Sequence, residues 1–208
     1  MTETTVPLTD RGRRTRDALV AAARRVFEER GYAATRMQDV AEAAGVSHGT
    51  VYTWFGSKDD LLTEVTHAIV GEVMDASRDR ASDVDPYARL AAANRRFLAG
   101  YRRNGRMLAV VEEAASADPE WASLLDDLRE VYVTRTRRTL RRLQADGHVA
   151  ADVDPDVAAP ALTGMVETFA RRTAGSSAPP DADVEALTRL WARAVGLAVP
   201  DHPTQTPA

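Results

Sequence analysis

The chain has 208 residues, of which 44% are hydrophobic and 28% are charged, a composition typical of one or two small globular domains. It contains no cysteine, which excludes disulfide bonds, thiolate metal sites and a cysteine nucleophile. No apolar segment has the roughly 18–20 residues that a membrane span requires, and the first residues do not resemble a signal peptide. We therefore expect a cytoplasmic protein with no membrane partner.

The charge is unevenly distributed along the chain. The formal net charge is −4, but residues 11–58 contain nine Lys/Arg against five Asp/Glu, and the other 160 residues contain 18 against 26. A basic N-terminal segment in front of an acidic body predicts a protein that binds nucleic acid with one face only.

The first predicted element is helix 1, which extends to Arg30. Gly31 follows as a stop signal. Residues 1–10, which precede helix 1, are polar, and we expect them to be disordered. We expect the same of the Pro- and Thr-rich residues 200–208. Four arginines within residues 11–16 form either a solvated basic run or an arm that contacts DNA phosphates. The apolar stripe of helix 1 consists of Leu19, Ala22, Ala23, Val26 and Phe27.

Two short helices with a tight turn between them follow. Thr35 is the expected N-cap of helix 2, and Gln38 completes a capping box. Gly45 ends this helix, and Ser47 caps helix 3, which spans about residues 48–55. This arrangement predicts a helix-turn-helix whose second helix fits a DNA major groove. The apolar face of helix 2 consists of Met37, Val40, Ala41 and Ala44.

Helix 3 divides into an inner and an outer face. Val51 and Phe55 lie four residues apart and are expected to face inward. Gly49 lacks a side chain, so it would allow close approach to the DNA backbone. The outward residues able to contact base edges or thymine methyl groups are His48, Thr50 and Thr53.

Three short motifs within residues 35–58 carry a resemblance to a known family. They are Ala44-Gly-Val-Ser47, Gly49-Thr-Val-Tyr52 and Phe55-Gly-Ser-Lys58. This segment resembles the DNA-binding segment of the tetracycline-repressor (TetR) family of bacterial regulators, with similarity at motif level over about residues 13–65. Trp54 stands where that family more often has a histidine or another polar residue. The resemblance implies that Gln38 contacts a base, as an alternative to its capping role, and that phosphates are contacted by Thr35, Ser47, Tyr52 and Lys58.

The remainder of the chain is predicted to be helical with no strand. Helix 4 starts after Ser57 and extends to about Arg80, and its length suggests that it couples the DNA-binding head to the body. Helices 5 to 9 are expected at about 86–103, 106–115, 119–147, 155–174 and from 181 or 183 onward. The sequence thus predicts an all-α protein of about nine helices. Residues 11–57 form the helix-turn-helix DNA-binding domain, and residues 58–199 form a helical effector-binding and dimerisation domain.

The body contains bulky apolar residues that suggest a cavity for a small, largely apolar effector. Plain core packing is the alternative for each of them. The candidate lining residues are Met74, Phe97, Tyr101, Met107, Trp121, Tyr132 and Phe169. Glu112 and Glu113 would suit a cationic ligand or lie exposed. The arginines of helix 7, at positions 135, 137, 138, 141 and 142, are predicted to form a solvated face.

Helices 8 and 9 are the candidate dimer interface. The resemblance implies that they pair with their copies in a second subunit. A dimer is also needed for DNA reading, because each subunit has one helix 3 and a palindrome has two half-sites. The candidate interface residues are Gly164, Met165, Phe169, Leu187, Leu190 and Trp191.

The function favoured by these patterns is a homodimeric, ligand-responsive regulator that represses transcription from a palindromic operator in double-stranded DNA. A small helical enzyme is the first alternative, but the four histidines lack metal-ligand spacing and no phosphate loop or nucleophile motif is present. We therefore expect no catalytic residue, metal or cofactor. The second alternative is an architectural DNA-binding protein whose body only dimerises.

Overall fold

A computed structural model describes residues 9–76, 85–174 and 181–200; for residues 74–76 it describes the backbone alone. Within these ranges the chain forms nine helices and no strand, which confirms the all-α prediction. None of the described helices has the length and apolar composition needed to cross a membrane. The helices are α1 (Asp10–Ala34), α2 (Met37–Ala44), α3 (His48–Trp54), α4 (Lys58–Ala76), α5 (Pro86–Arg103), α6 (Gly105–Ala117), α7 (Pro119–Ala145), α8 (Pro155–Thr173) and α9 (Asp181–Ala194).

The helices group into two compact units. The first unit extends to Val70 and includes Arg106–Ser123, so it contains α1 to α3, most of α4 and α6. The second unit comprises Gly71–Gly105 and residues from Leu124 onward, with α5, most of α7, α8 and α9. The predicted domain boundary at residues 57 and 58 coincides with the start of α4, but the first compact unit continues beyond it. The reason is that α6 packs with the N-terminal helices.

The core of the first unit begins with the predicted stripe of α1, all five of whose residues are buried. Gly31 interrupts this helix with a φ of 77°, a conformation that a residue with a Cβ rarely adopts. The chain then makes one further turn to Ala34. From the other helices of this unit, buried side chains include Met37, Val40, Val51, Phe55, Leu61, Leu62 and Val65.

In the second unit, α5 packs against both α8 and α9. Helix α5 begins with Pro86 after the N-cap Asp85, whose carboxylate accepts the N–H of Ala88. The predicted end of helix 4 near Arg80 and most of the two predicted disordered tails, residues 1–8 and 201–208, lie outside the described residues. At the N-terminus the disorder prediction is wrong for Asp10, because α1 already begins there and Thr9 caps it.

Candidate nucleic-acid interface

The two helices of the helix-turn-helix are fixed at their ends by short-range hydrogen bonds. Gly45 has a φ of 66°, and the N–H of Val46 donates to the Ala41 carbonyl at 3.1 Å, so α2 ends as predicted. Ser47 caps α3, and its Oγ accepts the N–H of Thr50 at 3.2 Å. Helix α3 is thereby held in one orientation by its cap and by the buried side chain of Val51.

The start of α2 differs from the prediction by one residue. The N-cap is Arg36, not Thr35, and the capping partner is Asp39, which accepts the N–H of Arg36 at 2.9 Å. Gln38 therefore has no capping role. It is exposed, and its amide donates to Glu42 at 3.0 Å, on the surface of the helix.

The outward face of α3 presents the side chains that the sequence indicated. His48, Gly49, Tyr52 and Thr53 are exposed, and Thr50 is half-buried. The rings of His48 and Tyr52 meet edge to face, with centroids 4.9 Å apart. The Thr53 hydroxyl donates to the Gly49 carbonyl at 3.0 Å, which leaves its methyl group and its lone pairs available.

Gly49 is not required by the packing of this chain. A Cβ built on it would have Ser47 Oγ, at 3.9 Å, as its nearest described neighbour, and its backbone is helical. A glycine within a helix costs about 0.5–1 kcal/mol relative to alanine. Within the described chain nothing requires a glycine at this position.

The predicted phosphate contacts have different surroundings. Tyr52 has 48% of its surface exposed, and Ser47 is exposed with its hydroxyl 2.8 Å from that of Thr50. The Lys58 ammonium donates to the Tyr32 carbonyl at 2.8 Å and lies 4.0 Å from the centre of the Tyr32 ring. An ammonium has three N–H donors, so this bond leaves two for other acceptors.

The predicted phosphate contact of Thr35 needs correction. This residue is only 3% exposed, and its hydroxyl donates to the Gly31 carbonyl at 2.7 Å. A buried side chain committed to an internal carbonyl does not reach a phosphate in this conformation. Thr35 instead closes the turn after the Gly31 break.

Sequence analysis missed a polar cluster that joins α1, α4, α6 and α7 within the first unit. We call it the Asp59 cluster, and it consists of Tyr32, Asp59, Glu113 and Trp121. The Tyr32 hydroxyl and the Trp121 indole N–H (3.3 Å) both donate to Asp59. Glu113 accepts the backbone N–H groups of Tyr32 and Ala33, each at 3.4 Å.

The contacts of the Asp59 cluster change the pKa of Tyr32 and fix the backbone next to Gly31. Burial, and then the hydrogen bond to Asp59 and its negative charge, raise the pKa of Tyr32 to about 12. Glu113 holds the chain beside Gly31, where an added Cβ would lie 3.2 Å from its carboxylate. The only signals in the sequence were the glycine itself and an acidic residue about 80 positions away, which no local pattern connects.

The arginines at residues 11–16 belong to the first turns of α1 rather than to an extended arm. Arg13 pairs with Asp10, and Arg16 pairs with Glu64 at 2.6 Å and lies over the Phe55 ring. Arg11 and Arg14 are exposed. Arg13 is exposed as well, so both interpretations of the run stay open for Arg11, Arg13 and Arg14.

The predicted effector residues are divided between the two compact units. A cavity of about 400 Å³ lies between α5, α7 and α9, and of the six predicted residues whose side chains are described Tyr132 lines it and the other five do not. Phe97 stacks behind Tyr132, with ring centroids 5.2 Å apart, and Tyr101 packs in turn near Phe97.

The other predicted effector residues lie elsewhere. Met107 and Trp121 belong to the first unit, where the indole N–H of Trp121 donates to Asp59. Phe169 lies on the outer surface of α8, and the side chain of Met74 lies outside the described residues.

The predicted dimer residues mostly share one surface. An open, largely apolar groove on α8 and α9 is lined by Gly164, Met165, Phe169, Leu187 and Leu190, together with Ala161, Thr168 and Arg172. Trp191 is the exception: it is 6% exposed and lines the internal cavity, because it follows Leu190 on the opposite side of α9.

The arginines of helix 7 are not simply a solvated face. Arg137 and Arg141 both pair with Asp156, at 2.8 Å and 2.9 Å. Arg135 and Arg142 line the cavity, and Arg138 is exposed.

Among the described residues no group of His, Cys, Asp and Glu side chains could hold a metal ion.

Comparison with known proteins gives two family matches. Residues 19–65 match the model for bacterial regulatory proteins of the tetR family, and residues 83–179 match a tetracyclin repressor-like C-terminal domain. The chain is 34% identical over 143 residues to the HTH-type transcriptional repressor Rv3405c of Mycobacterium tuberculosis, covering 62% of this chain and 70% of that protein. It is 27% identical over 156 residues to the HTH-type transcriptional repressor KstR2 of Rhodococcus jostii, covering 71% and 72%.

Solved structures give the same picture of the fold. The TetR family transcriptional regulator PfmR from Thermus thermophilus superposes with a TM-score of 0.67 at 25% identity, covering 84% of this chain and 97% of that one. A transcriptional regulator from Pseudomonas aeruginosa superposes with a TM-score of 0.76 at 19% identity, covering 88% and 90%.

Proposed function

The chain belongs to the TetR family of bacterial transcriptional regulators, and from this we propose that it is a homodimeric repressor that leaves a palindromic operator when a small molecule binds to its body. DNA binding and transcriptional regulation are common to the family, and the relatives are regulators rather than enzymes. The observation that carries the proposal is the exposed face of α3, which is capped by Ser47 and anchored by the buried Val51. We further propose that the protein acts in the cytoplasm, where operator DNA is accessible.

We assign sequence recognition to the outward residues of this face. His48 and Thr53 offer a ring nitrogen and a hydroxyl to base edges, and Thr50 offers a methyl group for thymine. Gly49 would bring the helix close to the DNA backbone. We also assign contact with an adenine edge to Gln38, which is exposed at the start of α2.

Phosphate contacts are assigned to Ser47, Tyr52 and Lys58. Such contacts fix the register of the module on the duplex and carry little sequence information. Lys58 suits this role because Tyr32 holds its ammonium by one hydrogen bond and by the face of its ring, which leaves two N–H donors for a phosphate. Orienting the ammonium beforehand also reduces the entropy lost when DNA binds.

We assign dimerisation to the groove on α8 and α9. One α3 reads only a few base pairs, whereas two copies related by a two-fold axis read half-sites about 34–36 Å apart. The groove supports this assignment because Leu190 is 60% exposed, and a large apolar side chain is more stable when a partner covers it.

Release by a small molecule requires only that the ligand bind better to the form that does not fit the operator. Helix α4 carries Lys58 and Asp59 in its first turn and extends to Ala76. The Asp59 cluster ties that turn to α1 and α6 by defined hydrogen bonds. We therefore propose that a shift of α4 or α6 changes the position of α3.

Selection of binding sites from random duplex DNA by the purified protein tests this function. We expect enrichment of a palindrome with affinity that falls steeply as salt rises. No enrichment of any sequence would contradict the proposal. Thermal melting against a panel of small molecules separates it from a purely architectural protein, whose melting temperature would not change.

A further inference from the structure

The start of α1 is anchored to the C-terminal end of α3. The Trp54 ring packs against the backbone of Gly12. One turn further along α1, the Arg16 guanidinium lies 5.6 Å from the centre of the Phe55 ring and pairs with Glu64 of α4 at 2.6 Å. All of these residues belong to the first unit, so the first turns of α1 are held beside the end of α3.

The same turns carry two arginines whose charge is not paired within the described part of the chain. Arg13 pairs with Asp10. Arg11 and Arg14 are exposed, and neither guanidinium has a hydrogen-bond or ion-pair partner among the residues that the structure describes. They are three positions apart and therefore share one side of the helix. Asp17, one turn beyond Arg14, is also exposed, so this side carries two positive charges and one negative charge.

The helix is already formed where these arginines lie. Thr9 caps α1, and its hydroxyl oxygen accepts the N–H of Gly12 at 3.2 Å. An arginine on a formed and anchored helix loses only side-chain freedom when it binds, whereas an arginine on a flexible arm also loses backbone freedom.

We propose that Arg11 and Arg14 bind backbone phosphates of the DNA that α3 reads. Helix α3, His48–Trp54, has seven residues and is about 10 Å long, and the major groove of B-DNA is about 12 Å wide. The ends of α3 would therefore lie near the phosphates that border the groove, and the start of α1 is held at one of these ends. A guanidinium can donate two parallel hydrogen bonds to one phosphate.

This proposal favours phosphate contact over a solvated run for Arg11 and Arg14. It rests on the proposed reading of DNA by α3 and adds a second contact surface outside the helix-turn-helix. Because phosphates carry no sequence information directly, the surface should strengthen binding to every duplex by a similar factor.

A salt series with charge-removing variants of the full chain tests the proposal. Fluorescence anisotropy measures binding to the selected operator and to a scrambled duplex of the same length. Arg11→Gln and Arg14→Gln should each weaken binding roughly two- to fivefold on both duplexes. Each should also reduce the slope of log affinity against log salt by about 0.9 per subunit, and the combined variant by about 1.8.

Arg138→Gln is the matched control, because it removes the same charge from an exposed position on α7. Its slope should equal that of the wild type. Circular dichroism establishes that each variant is folded. An unchanged slope in the combined variant would overturn the proposal, and so would an equal reduction in the control.

The anchoring role of Trp54 has its own test, a double-mutant cycle. In a Trp54→Ala background the combined arginine variant should lose less than half as much affinity, on a logarithmic scale, as in the wild-type background. Trp54→Leu, which keeps an apolar side chain, serves the same comparison if the alanine variant does not fold. An equal loss in both backgrounds would show that Trp54 does not position these arginines.

The two duplexes separate this inference from the proposed function. A palindrome that is selected and bound with the same salt slope by the wild type and the combined variant would overturn the α1 surface alone. Selection of no palindrome, with a reduced slope of the combined variant on the scrambled duplex, would overturn the proposed function and leave the phosphate surface standing.

Discussion

The indole ring of Trp54 lies against the backbone of Gly12, so close that a Cβ on Gly12 would come within 3.2 Å of Trp54 Cη2. This contact joins the last residue of α3 to the first turns of α1. Trp54 thus has a structural role at the end of α3. It holds the basic start of α1 beside α3, the helix that we propose reads DNA.

Removing this ring should loosen the DNA-binding head. Because Trp54 is half-buried, we expect Trp54→Ala to lower the free energy of unfolding by about 1–2 kcal/mol. Urea denaturation followed by circular dichroism measures the effect. Thr53→Ala, an exposed change on the same helix, should stay within about 0.5 kcal/mol of wild type. Similar stabilities for the two variants would refute a structural role for Trp54.

Gly49→Ala should separate folding from DNA binding. The added methyl group has ordinary van der Waals space within the described chain, and alanine favours the helix by about 0.5–1 kcal/mol. We therefore expect a more stable protein whose operator affinity is nonetheless at least tenfold weaker, measured by fluorescence anisotropy. Undiminished affinity would mean that DNA does not approach Gly49 closely.

Lys58→Ala and Tyr52→Phe should weaken binding about equally on all DNA sequences, because both side chains are assigned to phosphates. Lys58→Ala should also reduce the slope of log affinity against log salt by about one. Affinities for the selected palindrome and for scrambled DNA across a salt series measure both effects. Arg138→Ala, an exposed arginine on α7, controls for net charge. A loss confined to the palindrome would make these residues base readers instead.

Leu190→Glu should produce a monomer. It places a charge in the apolar groove of α8 and α9, and a buried unpaired charge strongly opposes association. Val131→Glu is the matched control, since Val131 is similarly exposed, at 63%, but lies on α7 outside the groove. Sedimentation velocity over a concentration series distinguishes the two. A dimer that survives Leu190→Glu but not Val131→Glu would place the interface elsewhere.

Alkaline pH should destabilise the protein through Tyr32. Its pKa is about 12 in the folded protein and about 10 in an unfolded chain. Between these values only the unfolded chain loses the proton, so stability that is complete below pH 10 falls as the pH rises toward 12. Urea midpoints at pH 9, 10 and 11 measure the trend, and Tyr32→Phe should flatten it. An equally steep trend in that variant would assign the effect to other groups, such as Tyr87, whose pKa is also about 12.

Local patterns predicted the helix-turn-helix well. The stop at Gly45, the cap at Ser47 and the inward position of Val51 depend on neighbours within a few residues, and each was confirmed. The cap of α2 was misplaced by one residue. Thr35 and Arg36 are both adjacent to the helix, and the choice between them depends on the tertiary burial of Thr35.

Features that depend on distant residues were missed. Glu113 and Tyr32 are 81 positions apart, and their hydrogen bond depends on how α6 packs against α1. The apolar character of Trp191 and Phe169 identified both as packing residues without indicating on which side of α8 and α9 each lies. The cavity combines parts of three helices, so Arg135 and Arg142 of α7, which line it, looked like part of a solvated face in the sequence.

The most direct test of DNA reading by α3 is site-specific cross-linking, because the chain has no native cysteine. Thr53→Cys provides a single thiol on the exposed face of α3, and Arg138→Cys provides one on the exposed surface of α7. Each variant is incubated with selected operator DNA that carries a thiol-tethered base in the major groove. We predict disulfide cross-links from position 53 in both half-sites and none from position 138. Cross-links from position 138 alone would contradict recognition by α3.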